Sequence, residues 1–274
     1  MDSYELVPGV PHKLDAAVTR VIAPNAGTMT GPGTNTYLVG EGELIVVDPG
    51  PDDELHMQAI LRAAAAPIRW ILCTHTHSDH APGAPRLKQL TGASIAAMVP
   101  PRTDHDFQLS VDRLLPDGDV VECGKVAVRA LHTPGHASNH LCYLLTRNQM
   151  LFTGDHIMQG STVVIWPPDG NMRAYVDSLR NLLKVDLATL APGHGHLIEN
   201  PREEINRLIA HRSKREDKVR QAVLRVGAGA TLESLLPYAY DDVAPSLYKW
   251  AALSLQAHLD KLVEDGELDS ALHS

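Results

Sequence analysis

Nine of the 15 histidines in this 274-residue chain fall in four short segments: His75, His77 and His80; His132, His136 and His140; His156; and His194 with His196. Imidazoles and carboxylates bind borderline divalent cations and exchange protons near neutral pH, so such clustering points to metal-assisted chemistry. The densest segment is Thr74-His75-Thr76-His77-Ser78-Asp79-His80, with four ligand-type side chains in six positions. In an extended turn His75 and His77 face one side and can share an ion, while Asp79 and His80 are offset toward a neighbouring position. That supplies partial ligand sets for two metals.

Three weaker signals accompany it. Thr133-Pro134-Gly135-His136 and Ala191-Pro192-Gly193-His194-Gly195-His196 each lift a histidine off a Pro-Gly turn, and Phe152-Thr153-Gly154-Asp155 places a carboxylate after an apolar run. Taken singly, each also reads as a surface turn or a helix cap. Together they reinforce one another, because every segment follows an expected strand. Loops at strand ends are where a rigid scaffold presents side chains to a common point.

The elements that must do this positioning are visible in the apolar pattern. Strands are expected at Val18–Ile22, Thr36–Val39, Leu44–Val47, Ile68–Leu72, Ala93–Ala96, Val120–Val121, Lys125–Leu131, Leu141–Leu145, Met150–Phe152 and Leu187–Leu190. The first three read as a meander. Helices are expected at Asp52–Ala65, Pro82–Leu90 and Met172–Leu183, with residues 100–118 as a polar connection. Two such halves suggest sheets stacked face to face with helices outside. After Pro201 no long strand appears. Glu203–Val226 reads as a long helix, Thr231 can cap a short one through Leu236, and Pro245 can open a third through Val263. The expected domains are therefore 1–200, carrying the chemistry, and 201–274, a helical appendage.

Composition bounds the possibilities. With 44% hydrophobic and 21% charged residues the chain is an ordinary globular protein, and no apolar run reaches the roughly 18–20 residues of a membrane span. The segment Met1-Asp2-Ser3-Tyr4-Glu5 lacks the features of a secretory signal, so a cytoplasmic location is expected. Cys73, Cys123 and Cys142 are widely spaced in apolar segments and read as buried free thiols. A net charge of −9 argues against broad capture of nucleic acid or anionic lipid. Residues 201–225 depart from this, with eight Lys+Arg against four acids.

The ordered set His75-x-His77-x-Asp79-His80, His136, Asp155 and His194 resembles the metallo-β-lactamase superfamily over roughly Gly33 to His196. The resemblance implies an αββα sandwich with a dinuclear metal site at the sheet edges. Carried over residue by residue, it implies that His75, His77 and His136 bind the first metal, Asp79, His80 and His194 the second, and Asp155 bridges both. Asp48, in Val46-Val47-Asp48-Pro49-Gly50, matches an early Asp that supports the site from behind.

Departures narrow the branch. Antibiotic-cleaving members generally lack the bridging carboxylate present here as Asp155. The 39 positions from Asp155 to His194 leave no room for the inserted domain of mRNA-processing nucleases. His194-Gly195-His196 lacks the Ser-Thr of the tRNA-processing branch, and His156 to Thr162 lacks the Cys-Gly-Arg segment of the glutathione thioesterase branch. The segment Gly154 to Thr162 with Pro192 to Gly195 and Ala210-His211-Arg212 looks most like the β-lactamase-like protein 2 group, close to glyoxalase II-like hydrolases. That group has a helical, winged-helix-like C-terminal domain.

The expected function is metal-dependent hydrolysis of a small-molecule ester, thioester or related bond by a metal-bridging hydroxide, which Asp79 orients as the catalytic carboxylate. Two divalent ions are expected, zinc first, with iron or manganese also suited to mixed N/O donors. The alternative is an endoribonuclease acting on single-stranded RNA, with His211 or Arg212 facing the substrate. A β-lactamase, or a DNA-binding regulator built on the C-terminal helices, ranks below both. A homodimer is compatible with these readings.

Overall fold

The computed structural model describes residues 5–99 and 107–268, and all structural statements concern those residues. Met1–Tyr4 and the Pro100-Pro101 part of the expected connection lie outside them. The chain divides into two compact units. One comprises the chain up to Thr133 with Asn139–Ser161 and Asp186–Pro201; the other comprises Pro134–Ser138, Thr162–Val185 and the chain from Arg202 onward.

The first unit holds two mixed sheets. One runs in the order β1 (His12–Lys13), β2 (Val18–Ile22), β3 (Asn35–Val39), β4 (Leu44–Val47), β5 (Ile68–Leu72), β6 (Ser94–Ala97) and β7 (Arg113–Leu114). Its first four strands are antiparallel neighbours, and β4 to β7 are parallel. Such parallel pairs need crossovers, and α1 (Glu54–Ala63) and α2 (Gly83–Thr91) provide them between β4 and β5 and between β5 and β6. The other sheet is β8 (Val120–Cys123), β9 (Val126–His132), β10 (Leu141–Leu145), β11 (Met150–Gly154) and β12 (Thr189–Pro192), antiparallel except for the parallel β11–β12 pair.

Strand periodicity builds the core. In β4, Leu44 and Val46 pack with Met57, Ile60 and Leu87 of the two helices, while Ile45 and Val47 pack with Tyr143 and Phe152 of the second sheet. A strand buried on both faces reads as a continuous apolar run, as Leu-Ile-Val-Val does. This is an α/β sandwich with helices on the outer face of the first sheet. The carboxyl ends of β4, β5, β11 and β12, and the β9–β10 connection, carry the histidine and aspartate motifs.

Several boundaries differ from the sequence expectation. The last strand lies at Thr189–Pro192, two residues later than Leu187–Leu190, and β11 continues past Phe152 to Gly154. Register decides this: Leu151 pairs with Leu190 and Gly154 with Pro192, so each strand's extent is set by its partner rather than by its own propensity. Arg113–Leu114, inside the stretch expected to be an irregular connection, pairs with Ala96 and Ala97 as a two-residue strand, and β1 pairs with β2 in the same way. Two residues carry no readable alternation.

The second unit contains α3 (Met172–Leu182), α4 (Pro201–Val226), α5 (Leu232–Ala239), a 3₁₀ turn at Pro245–Leu247 and α6 (Tyr248–Glu264). Val219 and Val223 of α4, Leu235 and Leu236 of α5, and Leu255, Leu259 and Leu262 of α6 form its core. Thr231 and Ser234 close a reciprocal capping box at the start of α5. The helix runs through Pro237 to Ala239, beyond the expected end at Leu236. Burial of Ala239 and Tyr240 in the core offsets the hydrogen bond that Pro237 cannot donate. Among the described residues, no helix is long and apolar enough to cross a membrane.

Phe152 is fully buried, with its ring centroid 5.0 Å from that of Tyr37 across the two sheets. Phe152→Ala is expected to lower unfolding free energy by about 3–5 kcal/mol in urea titrations; a loss below about 1 kcal/mol would contradict a tightly packed interlayer core.

Candidate metal centre

The first support is Asp48, directly after β4 and buried, with φ of 51°. Aspartate enters this left-handed region more readily than most side chains. Its Oδ1 accepts the Thr74 N–H at 2.7 Å, and its Oδ2 accepts the Thr74 hydroxyl at 2.8 Å and His80 Nδ1 at 2.9 Å. Because Thr74 gives its one hydroxyl proton to Asp48, its oxygen receives His75 Nδ1–H at 3.0 Å. One carboxylate therefore orients two imidazoles, His80 directly and His75 through Thr74, and turns Nε2 of each away from the support. His75 Nε2 comes within 3.0 Å of His77 Nδ1, the spacing of two donors that share one partner.

Asp79, His80, Asp155 and His194 form a second group, each offering a ligand atom within 4.8 Å of the others. His80 Nε2 lies 3.4 Å from Asp79 Oδ2 and 3.3 Å from Asp155 Oδ1. His194 Nε2 lies 3.3 Å from each of the same two oxygens. Both Nε2 atoms are buried without a hydrogen bond, while both Nδ1 atoms are engaged, His80 with Asp48 and His194 with the Gly33 carbonyl at 3.2 Å. Buried nitrogens are rarely left this way. A divalent cation between two imidazoles and two carboxylates satisfies all four atoms, so the residues fit a metal.

Electrostatics agree with the geometry. Burial alone would lower His80, yet Asp79, Asp155 and Asp48 hold it well above the usual imidazole range. Burial likewise opposes a charged His194, but Asp155 and Asp79 push it up to about 9. For Asp79 and Asp155 burial would raise the pKa, and His80 with His194 outweighs it, holding both carboxyls far below the ordinary range. The centre thus demands positive charge, which imidazole protons or a bound cation can supply.

The seats of these candidate ligands come largely from residues outside the motifs. Around His194, Asn35 Nδ2 donates to the Pro192 and Gly195 carbonyls at 2.9 Å each, Tyr37 Oη donates to Pro192 O at 2.7 Å, and Arg20 Nη1 donates to Gly195 O at 2.9 Å. A Cβ on Gly193 would stand 2.7 Å from Asp155 Oδ1 and 2.8 Å from His80 Cε1. Asp155 N–H donates to His140 Nε2 at 3.2 Å, and His140 Nδ1 in turn bonds Thr133 Oγ1 at 2.9 Å. His140 therefore supports the Asp155 backbone. His156 is fully buried, its ring centroid 5.9 Å from that of His140. His196 N–H meets Gln159 Oε1 at 3.5 Å.

His136 stands on the β9–β10 connection, in the segment Pro134–Ser138 that belongs to the second unit. Its Nδ1 donates to the Val164 carbonyl at 2.8 Å, which makes Nε2 the nitrogen with the lone pair. The motifs alone do not reveal Thr74, Asn35 and Arg20 as supports, whereas His140 stands beside the motif histidines and is a supporting candidate from sequence. A signal exists for two of them: Arg20 and Asn35 are polar residues inside otherwise apolar strands, and buried polar groups need partners.

Three outcomes test this geometry. Asp48→Ala removes the acceptor behind His80 and Thr74, and zinc affinity is expected to fall about 10–100-fold in a competition titration. Gly193→Ala should release bound metal by displacing Asp155 or His80, measured as metal per chain; full occupancy would contradict the close approach. The raised imidazoles are protonated at pH 7 in the metal-free protein, so zinc must displace protons, and apparent affinity should climb with pH until His194 titrates near 9. In that metal-free protein, the stability these imidazoles contribute is complete below their unfolded pKa of about 6.5 and is lost as pH rises through the folded value. Calorimetry in buffers of different ionisation enthalpy reads the proton release directly.

A sequence model of the Metallo-beta-lactamase superfamily matches residues 29–194, and one of the Beta-lactamase associated winged helix domain matches residues 231–270. The chain is similar to the Beta-lactamase-like protein 2 homolog of Drosophila melanogaster, at 30% identity covering 96% of this chain and 93% of that protein. It is also similar to an Atrochrysone carboxyl ACP thioesterase of Aspergillus fumigatus, at 32% identity covering 80% of this chain and 70% of that protein. A crystal structure of a Beta-lactamase domain protein from Burkholderia ambifaria shares the fold, with a TM-score of 0.79 at 18% identity over 98% of this chain and 92% of that one. With its two mixed sheets, its His/Asp metal site and its C-terminal winged-helix domain, the chain belongs to the metallo-beta-lactamase superfamily and is a metal-dependent hydrolase.

Proposed function

We propose that this protein hydrolyses a thioester or ester of a small molecule at a dinuclear centre. The observation that carries this reading is the convergence of His80 Nε2, His194 Nε2 and the Asp79 and Asp155 carboxylates on one point, beside the His75–His77 pair. In the proposed assignment His75, His77 and His136 would hold the first ion and Asp79, His80 and His194 the second, with Asp155 a ligand common to both. Zinc suits these donors, as do iron and manganese. When bound, two such ions activate water and polarise the bond under attack.

The chain's own groups then have distinct tasks. Asp79 is the more exposed of the two carboxylates, at 25% against 11% for Asp155, so it is the one placed to orient water. Asp48 and Thr74 hold the ligand tautomers, and His140 holds the Asp155 backbone. The name of the Aspergillus fumigatus relative supports a thioester, and the carboxylate Asp155 argues against a β-lactam as substrate. A cytoplasmic setting accords with the buried free thiols Cys73, Cys123 and Cys142.

The ribonuclease alternative rested on the basic excess in residues 201–225. Most of that charge is engaged within the helical unit. Arg207 pairs with Glu204, Arg215 with Asp242, Lys218 with Asp241 and Asp242, and Arg220 with Glu216 and Glu267; Arg225 lies over the Tyr238 ring. Arg212 is buried and donates to the Val163 carbonyl, so it does not face a substrate. Further along, Lys261 pairs with Glu216 and Asp265 and Lys249 lies over Trp250, which leaves few cations for DNA phosphates.

The deciding experiment is metal analysis of the purified protein with a panel of thioesters, lactones, β-lactams and single-stranded RNA. Turnover of a small thioester, insensitive to salt, is expected. Asp155→Ala should lose metal and reduce kcat/KM at least about 100-fold; full activity with two metals retained would refute the assignment, and salt-sensitive RNA cleavage would favour the nuclease.

A further inference from the structure

Within the second unit, the segment that carries His136 is fastened at nearly every residue. Ser178 Oγ donates to Pro134 O at 2.9 Å, Asn171 N–H to Gly135 O at 2.8 Å, and Ser138 N–H to Asp169 Oδ2 at 2.9 Å. His136 itself donates from Nδ1 to Val164 O at 2.8 Å. Gly135, with φ of 140°, lets the segment close onto α3, because a Cβ there would stand 2.3 Å from Tyr175 Cα. The seat therefore has two walls: the Val163–Val164 backbone on one side and Tyr175 on the other.

One side chain grips both walls. Arg212 of α4 is 3% exposed; its Nη2 donates to the Val163 carbonyl, and its guanidinium lies over the Tyr175 ring, 5.1 Å from the centroid. A buried guanidinium is retained where carbonyls and aromatic faces receive it. From α6, Ser254 Oγ accepts the Ile165 N–H at 3.4 Å, one residue beyond the carbonyl that receives His136. We infer that Arg212 is a positioning residue for the metal centre: by fixing Val163 and Tyr175 it sets the direction in which His136 presents Nε2. The inference rests on the proposed reading of His136 as a ligand.

Cobalt titration of the metal-free full chain tests this, with the d–d absorption bands as the readout and thermal unfolding of the metal-free protein as a check on the fold. Wild type is expected to bind two equivalents, and H136A to lose one class of site. R212A should weaken that same class by about 10–100-fold while the other class keeps wild-type affinity. R212K, which retains the charge but not the planar stack and fork, should fall between the two and carries the comparison if R212A does not fold. Wild-type cobalt binding by the Arg212 variants, or equal weakening of both classes, overturns the inference. If H136A itself binds two cobalt ions with wild-type affinity, the ligand reading fails and the inference fails with it; selective loss in H136A without loss in either Arg212 variant overturns the inference alone.

Discussion

A buried carboxylate, Asp48, is the interaction on which the centre's geometry depends. It sits at the end of β4 in a left-handed conformation and spends both oxygens on Thr74 and His80. Through Thr74 it also reaches His75. A histidine can donate from either nitrogen, and a ligand cluster works only when each ring turns the correct one inward. Placing an acceptor behind the rings settles that choice before any ligand arrives. The cost is a buried negative charge, which the histidines around it offset.

The same logic recurs at the candidate ligands His194 and Asp155, with different supports. His194 depends on Arg20, Asn35 and Tyr37, which bond the carbonyls of its own turn, and on Gly33, whose carbonyl receives Nδ1. Asp155 depends on His140 at its backbone. These supports lie on β2, on and just before β3, and just before β10, and those on β2 and β3 are far in sequence from what they hold. The strands therefore serve two purposes: their apolar positions build the interlayer core, and a few polar positions near their ends orient the ligand loops.

The helical unit follows a different economy. Its basic helix α4 is laced to acids outside the basic window, Asp241, Asp242 and Glu267 among them, so a local charge excess becomes a set of internal pairs. Exposed pairs of this kind contribute little each. The buried ones, at Arg212 and Arg215, are directional, bonding carbonyls of Val163 and Ala239 and covering the rings of Tyr175 and Tyr240. Charge counted along a window of sequence misjudges a surface whose neutralising partners come from elsewhere in the chain.

Most strands and helices of the fold were legible from apolar periodicity and from Gly and Pro punctuation, because those patterns are local consequences of burial. Val18–Ile22, Leu44–Val47, Ile68–Leu72 and Leu141–Leu145 stand where the pattern put them. The grouping of Asp79, His80, Asp155 and His194 was legible too, since side-chain types and their placement after strands are written in the chain. Sequence thus supplies an inventory: which groups are suited to chemistry and which loops present them. The extent of β11 and β12, the two-residue strands, and the supports Thr74, Asn35, Arg20 and Arg212 emerge only once the chain is folded. Register and hydrogen-bond partnership are properties of pairs, and the two members of a pair can lie more than a hundred residues apart, as Asn35 and Pro192 do.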